Sequence, residues 1–171
     1  MRTSMTRLFL AFLLLLVPVT VSAQTYTAVL SGANEVPPAD PDGAGTATVV
    51  INGTLVTYTI NVQNITLPPT GQHIHVGAAG VNGGILIPLS GTWVGGSLVG
   101  STTAAAGDTA AIIANPAGYY VNVHTTDFPG GAIRGQLAFV SAATSIPTFS
   151  GGILLLLAAV LGIAGAIALK R

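Results

Sequence analysis

Short runs rich in Val, Ile, Thr and Tyr, with apolar and polar residues in alternation, restrict this chain to β-structure. Thr25–Leu30, Gly45–Ile51 and Leu55–Val62 are such runs, and their composition suits half-buried strands. A period of two sends one set of side chains to a core and the other to solvent. Asn52-Gly53, between the second and third runs, marks a two-residue hairpin. Pro37–Gly43 and Leu67–Gly71 read as proline-stiffened loops, and Gly77–Gly84 as a glycine-rich turn region before an apolar strand at Ile85–Leu89. That region lacks the lysine and the following helix of a phosphate cradle. Trp93–Leu98, Tyr119–Thr125 and Ala132–Val140 are the remaining strands, with Phe128–Gly131 as the turn between the last two. Asp108–Ala114 is the one helical segment expected, capped by Asp108 and ended by Pro116. About eight short strands at close spacing predict an all-β Greek-key sandwich or barrel.

The ends are of a different kind. Met1–Ala23 has a basic start (Arg2, Arg7), a ten-residue apolar stretch at Leu8–Val17 and a small-residue cleavage site at Val21-Ser22-Ala23. This is the layout of a secretory signal peptide, and ten apolar residues are too few to span a bilayer. Gly151–Leu169 is uncharged and closed by Lys170-Arg171. It predicts a C-terminal transmembrane helix with its basic end in the cytoplasm. The expected order is a signal peptide at 1–23, a β-domain at 24–140, a linker at 141–150 and an anchor at 151–171. The β-domain would then sit in the cell envelope or at the cell surface.

Four of the five basic residues lie in those ends. The exported part keeps only Arg134 against Glu35, Asp40, Asp42, Asp108 and Asp127, a net charge of −4. Nucleic-acid binding needs a basic stripe, so that class is set aside. The absence of cysteine excludes disulfides, thiolate metal sites and a thiol nucleophile. A core must hold the domain together, and about 125 residues suffice for one.

All three histidines fall in two of the strands. Alternation places His73 and His75 on one face of Gln72–Val76, opposite Ile74 and Val76. His124 shares a face with Tyr120 and Asn122, opposite Val121 and Val123. If the strands are neighbours, three imidazoles converge.

Tyr26–Pro38, with its Ser31-Gly32-Ala33-Asn34-Glu35-Val36-Pro37-Pro38 segment, resembles the opening of a CHRD domain, the module named after chordin. His73-Ile74-His75-Val76-Gly77, Asn82-Gly83, Tyr120–Thr125 and Pro129–Leu137 are similar to that family's other blocks. The resemblance covers about Thr25–Val140. It implies a β-sandwich of the kind found in bacterial exported proteins, without a defined biochemical activity. Ile146, Pro147 and Thr148, followed by the apolar span and Lys170-Arg171, resemble an IPTL-type C-terminal sorting signal, implying a membrane-bound sorting enzyme as a partner. Phe149 stands where that pattern has leucine. A fainter, fold-level similarity links the His-x-His strand, the later Val-His strand and Gly131–Arg134 to copper-zinc superoxide dismutase. The fold expected is therefore superoxide-dismutase-like or immunoglobulin-like.

Two readings of His73, His75 and His124 stay open. As ligands they would hold copper or zinc, for which neutral imidazole is the commonest donor, three histidines plus water being a known zinc arrangement. As architecture they would bond loop carbonyls and need no cofactor. The architectural reading is preferred, because a dismutase-like centre asks for more ligands than three histidines. Arg134 is expected to pair with Glu35 or Asp127, since an unpaired buried charge is costly. Asp40 and Asp42 are too sparse for a calcium loop. Ser97 and Ser101 carry no catalytic motif, and Trp93, Tyr119 and Tyr120 read as core and sheet residues. Asn52-Gly53-Thr54 and Asn64-Ile65-Thr66 match the glycosylation pattern. The function expected is an exported, surface-anchored structural or binding module. The alternatives are a copper/zinc dismutase-like enzyme, or an adhesion domain for a protein or glycan.

Overall fold

The computed structural model describes residues 22–140. The expected signal peptide at 1–23 but for its last two residues, the expected sorting motif Ile146, Pro147 and Thr148, and the expected transmembrane helix at 151–171 lie outside them. No helix among the described residues is long and apolar enough to cross a membrane.

Nine strands are present among the described residues: β1 (Gln24–Ser31), β2 (Ala44–Asn52), β3 (Leu55–Gln63), β4 (Gly71–Val76), β5 (Ile85–Pro88), β6 (Ser97–Thr103), β7 (Tyr119–His124), β8 (Ile133–Gln136) and β9 (Ala138–Phe139). One helix, α1 (Ala106–Ala114), joins β6 towards β7. Every pairing is antiparallel, in the spatial order β5-β4-β7-β8-β1-β2-β3-β6, with β9 also on β1. β5 and β6 end this path, yet only residues 89–96 separate them in the chain. A flat eight-strand sheet would be about 34 Å across, and nine chain steps reach about 30 Å at full extension. The sheet therefore curls until its edges approach, which is the expected all-β sandwich or barrel in a nearly closed form. Tyr58 Oη on β3 donates to the Ser90 carbonyl at 2.5 Å, fastening the link across the opening.

Alternation works as expected in β1, β2 and β3. Tyr26, Ala28 and Leu30, then Val49 and Ile51, then Val56, Tyr58 and Ile60 are buried. Thr27, Thr48 and Thr59 are opposite one another on the outer face. Ile112 of α1 is also fully buried in this core.

Several boundaries differ from the sequence expectation. Asn52 is still strand, and the hairpin loop is Gly53 and Thr54. Trp93–Leu98 is not a strand; it makes a turn closed by Val94 and Ser97, and β6 begins at Ser97. A small-residue run such as Ser97–Thr103 carries little strand signal by itself. It becomes a strand because β3 offers it a full ladder from Asn61 to Leu55. The helix starts at Ala106, with no side-chain cap, and Asp108 sits in its first turn, where its charge suits the helix dipole. The last run breaks at Leu137, whose N–H bonds Tyr119 O as the chain passes from β8 to β9.

Candidate functional site

β4, β7 and β8 lie side by side, and their register decides what meets. His73 is opposite Asn122, His75 opposite Tyr120, and Gly71 opposite His124. Asn122 is in turn opposite Arg134, and Tyr120 opposite Gln136. One face of these strands therefore carries His73, His75, Tyr120, Asn122, His124, Arg134 and Gln136. The other face gives Ile74, Val121, Val123 and Ile133 to the core.

Two loops roof the polar face. Asn34, in the turn after β1, donates to Arg134 O at 3.1 Å, and Arg134 Nε donates to Asn34 O at 2.5 Å. From the 77–84 loop, Asn82 Oδ1 accepts from Arg134 Nη1 at 2.7 Å, and Asn82 Nδ2 donates to Val36 O at 2.7 Å, which ties the loops together. Gly83 N–H donates to Tyr120 Oη at 3.3 Å. A Cβ on Gly83 would stand 1.6 Å from Val76 O, so only glycine permits this approach.

Under that roof the three histidines come together. One potential ligand nitrogen of each lies within 4.8 Å of the others. His73 Nδ1 and His124 Nε2 are 3.3 Å apart. His75 Nδ1 is 3.0 Å from Gly83 O, and His124 Nδ1 is 3.1 Å from Pro129 O. A carbonyl only accepts, so each ring bonds it through an Nδ1–H; His124 Nε2 then faces His73 Nδ1. His75 Nε2 is buried and without a partner. His75 stacks on Tyr120 with centroids 5.0 Å apart. Burial, then the neighbouring His124 and His75, push His73 below the ordinary imidazole range. Burial also pushes His124 down, opposed by its bond to Pro129 and assisted by His75. Both rings are thus held neutral near pH 7.

Beside the triad is a buried charge pair. Arg134 is 1% exposed, with its guanidinium 4.7 Å over the Tyr120 ring and Nε 3.9 Å from Glu35 Oε2. The expected pairing is with Glu35; Asp127 instead accepts from Thr66 Oγ1. Burial lifts the Glu35 carboxyl to about 7, although Arg134 pulls the other way. Glu35 Oε1, Asn122 Oδ1 and Arg134 Nη2 are buried without partners. A Cβ at Gly131, where φ is +136°, would lie 2.7 Å from Glu35 Oε1 and 2.8 Å from Asn122 Oδ1.

The other residues singled out in the sequence do not join this site. Asp40 Oδ1 accepts from Gly43 N–H in a loop bond, and the Asp42 carbonyl accepts from Asn64 Nδ2. Ser97 and Ser101 face β3 partners on β6. Trp93 Nε1 donates to Gln72 Oε1 at 3.0 Å, and Gln72 Nε2 donates to Leu89 O. This pair of Gln72 bonds is invisible to a pattern reading, because glutamine between loop and histidine gives no hint of burial.

Residues 26–137 match the CHRD domain. No curated protein and no solved structure matches the chain.

Proposed function

Because the chain belongs to the CHRD domain family, whose module is a β-domain for binding or structure, we propose that it is a binding module whose ligand is a copper or zinc ion held by His73, His75 and His124. The observation that carries this reading is that His75 Nε2 is buried and unpartnered, on a ring that gathers with those of His73 and His124 within ligand reach. An orphaned buried acceptor costs about 1–3 kcal/mol, and a metal ion would remove that cost. The Nδ1–H groups of His75 and His124 are bonded to carbonyls, the outer arrangement that fixes ring orientation in metal sites. Bonds of about 2.0–2.1 Å at tetrahedral angles put ligand nitrogens about 3.3 Å apart, as His73 Nδ1 and His124 Nε2 are. Imidazoles without thiolate or carboxylate suit copper and zinc, with copper(II) bound more tightly by the general order of affinities.

Electrostatics favour binding over turnover of an anion. The exported region is net negative, and its single guanidinium is committed to Asn34, Asn82 and Glu35. Such a field draws cations and offers no steering to a substrate such as superoxide. In this reading the signal peptide directs export and is removed, and the span at 151–171 holds the module at the cell surface.

Titration of the chelator-treated full chain with copper(II) and zinc(II), followed by thermal unfolding, tests the proposal. We expect saturation at one equivalent and a rise in midpoint, worth about 2.7 kcal/mol at a hundredfold excess over Kd. His75→Ala and His124→Ala should each abolish it. A wild-type midpoint that no metal moves would overturn the reading.

A further inference from the structure

A cavity of about 340 Å³ opens between the loop after β1 and the turn between β7 and β8. Glu35 and Asp127 line it, with Val36, Pro37, Phe128 and Pro129 among its apolar walls, and no histidine or cation does. Glu35 is 6% exposed, and its Oε1 has no partner, whereas Oε2 is the atom nearest Arg134. The cavity thus joins a buried acceptor that lacks a donor to a second carboxylate at the rim and to walls that would pack hydrocarbon. An anion would be repelled, and a wholly apolar guest would leave Oε1 unpaired.

We propose that this cavity takes a protonated primary amine on an alkyl stem, borne by a free diamine or by a lysine side chain. The ammonium supplies N–H donors to Glu35 Oε1, and Asp127 adds attraction at the mouth. The methylene stem lies along the prolines and Val36, in the way lysine stems cover apolar surface. Phe128 offers a ring to the cation. Three of the wall carbonyls are already engaged: Pro129 O with His124, Phe128 O with Gly131 and Thr125, and Val36 O with Asn82. Glu35 and Asp127 are the charged side chains of the lining, and they recognise the ammonium. The site does not depend on metal binding, since none of the three histidines lines it.

Calorimetry of the full chain at low salt and pH 8, above the Glu35 value of about 7, decides it, with 1,5-diaminopentane as one probe and a short peptide bearing a single lysine as the other. Saturable one-to-one uptake of either probe is expected, abolished when the lysine is acetylated. Glu35→Gln should weaken it about tenfold or more, the scale of one charge-assisted hydrogen bond. Asp127→Asn, at an exposed residue whose amide oxygen still accepts from Thr66, should weaken it several-fold and keeps the test valid if Glu35→Gln fails to fold. Uptake of the diamine alone assigns a free amine, and uptake of the peptide alone assigns a lysine-bearing partner. His75→Ala should bind amine as the wild type does while losing metal, so the two proposals fail separately. A folded wild type that takes up neither probe at millimolar concentration, or uptake unchanged in both carboxylate variants, would overturn the assignment.

Discussion

The β1–β2–β3 ladder and the β4–β7–β8 ladder are built from similar backbone, and they use their two faces in opposite ways. In the first, hydrocarbon points inward and threonines outward, so each strand solves its solvation problem by alternation. In the second, the outer face is polar and yet buried: His75, Asn122 and Arg134 are 8%, 3% and 1% exposed. Burial of that kind contributes little to stability, because each polar group must recover the hydrogen bonds it had in water. Three side-chain atoms there, and Glu35 Oε1 in the loop beside them, have not recovered them. The contrast teaches where this molecule departs from the cheapest fold, and such departures mark functional surfaces.

The largest expected break comes from Arg134→Ala. It leaves Glu35 buried without its cation and should cost about 3–5 kcal/mol, with a deficit that grows as pH rises through neutrality and Glu35 ionises. Ile60→Ala in the other ladder, at about 2–5 kcal/mol, should cost the same at every pH. Urea unfolding of both variants between pH 5 and 8 measures the difference; parallel curves would mean that the two ladders are held in the same way.

A smaller effect follows from Glu35 itself. Its folded value of about 7 lies above the ordinary 4.5, so the folded state binds this proton more tightly than the unfolded state. Stability from this group is therefore present at low pH and lost as pH rises from about 4.5 to about 7. His73 and His124 are shifted down, so their contribution runs the other way and is lost as pH falls below 6.5. Glu35→Gln removes only the first contribution. Relative to wild type the variant should gain about 2 kcal/mol between pH 5 and pH 7, read as a widening gap in unfolding midpoints. Smallest of all is Thr48→Val on the outer face, expected to stay within about 0.5 kcal/mol; a larger loss would show that this face, too, is more than a solvated surface.

Much of this was legible in the residues. Period-two patterns placed β1, β2, β3, β4 and β7 to within a residue or so, because one buried face stamps itself on the order of side chains. β6 was misplaced because Ser, Gly and Thr record no face; its ladder is a tertiary effect. At the site, alternation put His73 with His75 and His124 with Asn122, and the cost of a lone charge called for a carboxylate beside Arg134, Glu35 or Asp127, without choosing between them. The adjacency of β4 and β7 is not written in the residues, since no local signal says which strands become neighbours. The roofing loops were legible only through resemblance: Asn34-Glu35, Asn82-Gly83, Tyr120–Thr125 and Arg134 belong to blocks far apart in the chain, and they meet on one face. The orphaned atoms and the Gln72–Trp93 bond have no sequence signature, because they depend on what fails to come within reach.

β1 has β2 on one side and β8 and β9 on the other. Ser31 is paired with Arg134 and Tyr26 with Phe139, so the strand made first is completed by the strands made last. No vectorial order of synthesis avoids this. While the intervening hundred or so residues emerge, the hydrogen-bonding edge of β1 stays open, and ladders of such long sequence separation form in about milliseconds to seconds rather than microseconds. The histidines share in this, since His124 on β7 follows His73 on β4 by 51 residues. Metal capture would thus be a late event, possible only once the chain has closed on its own beginning.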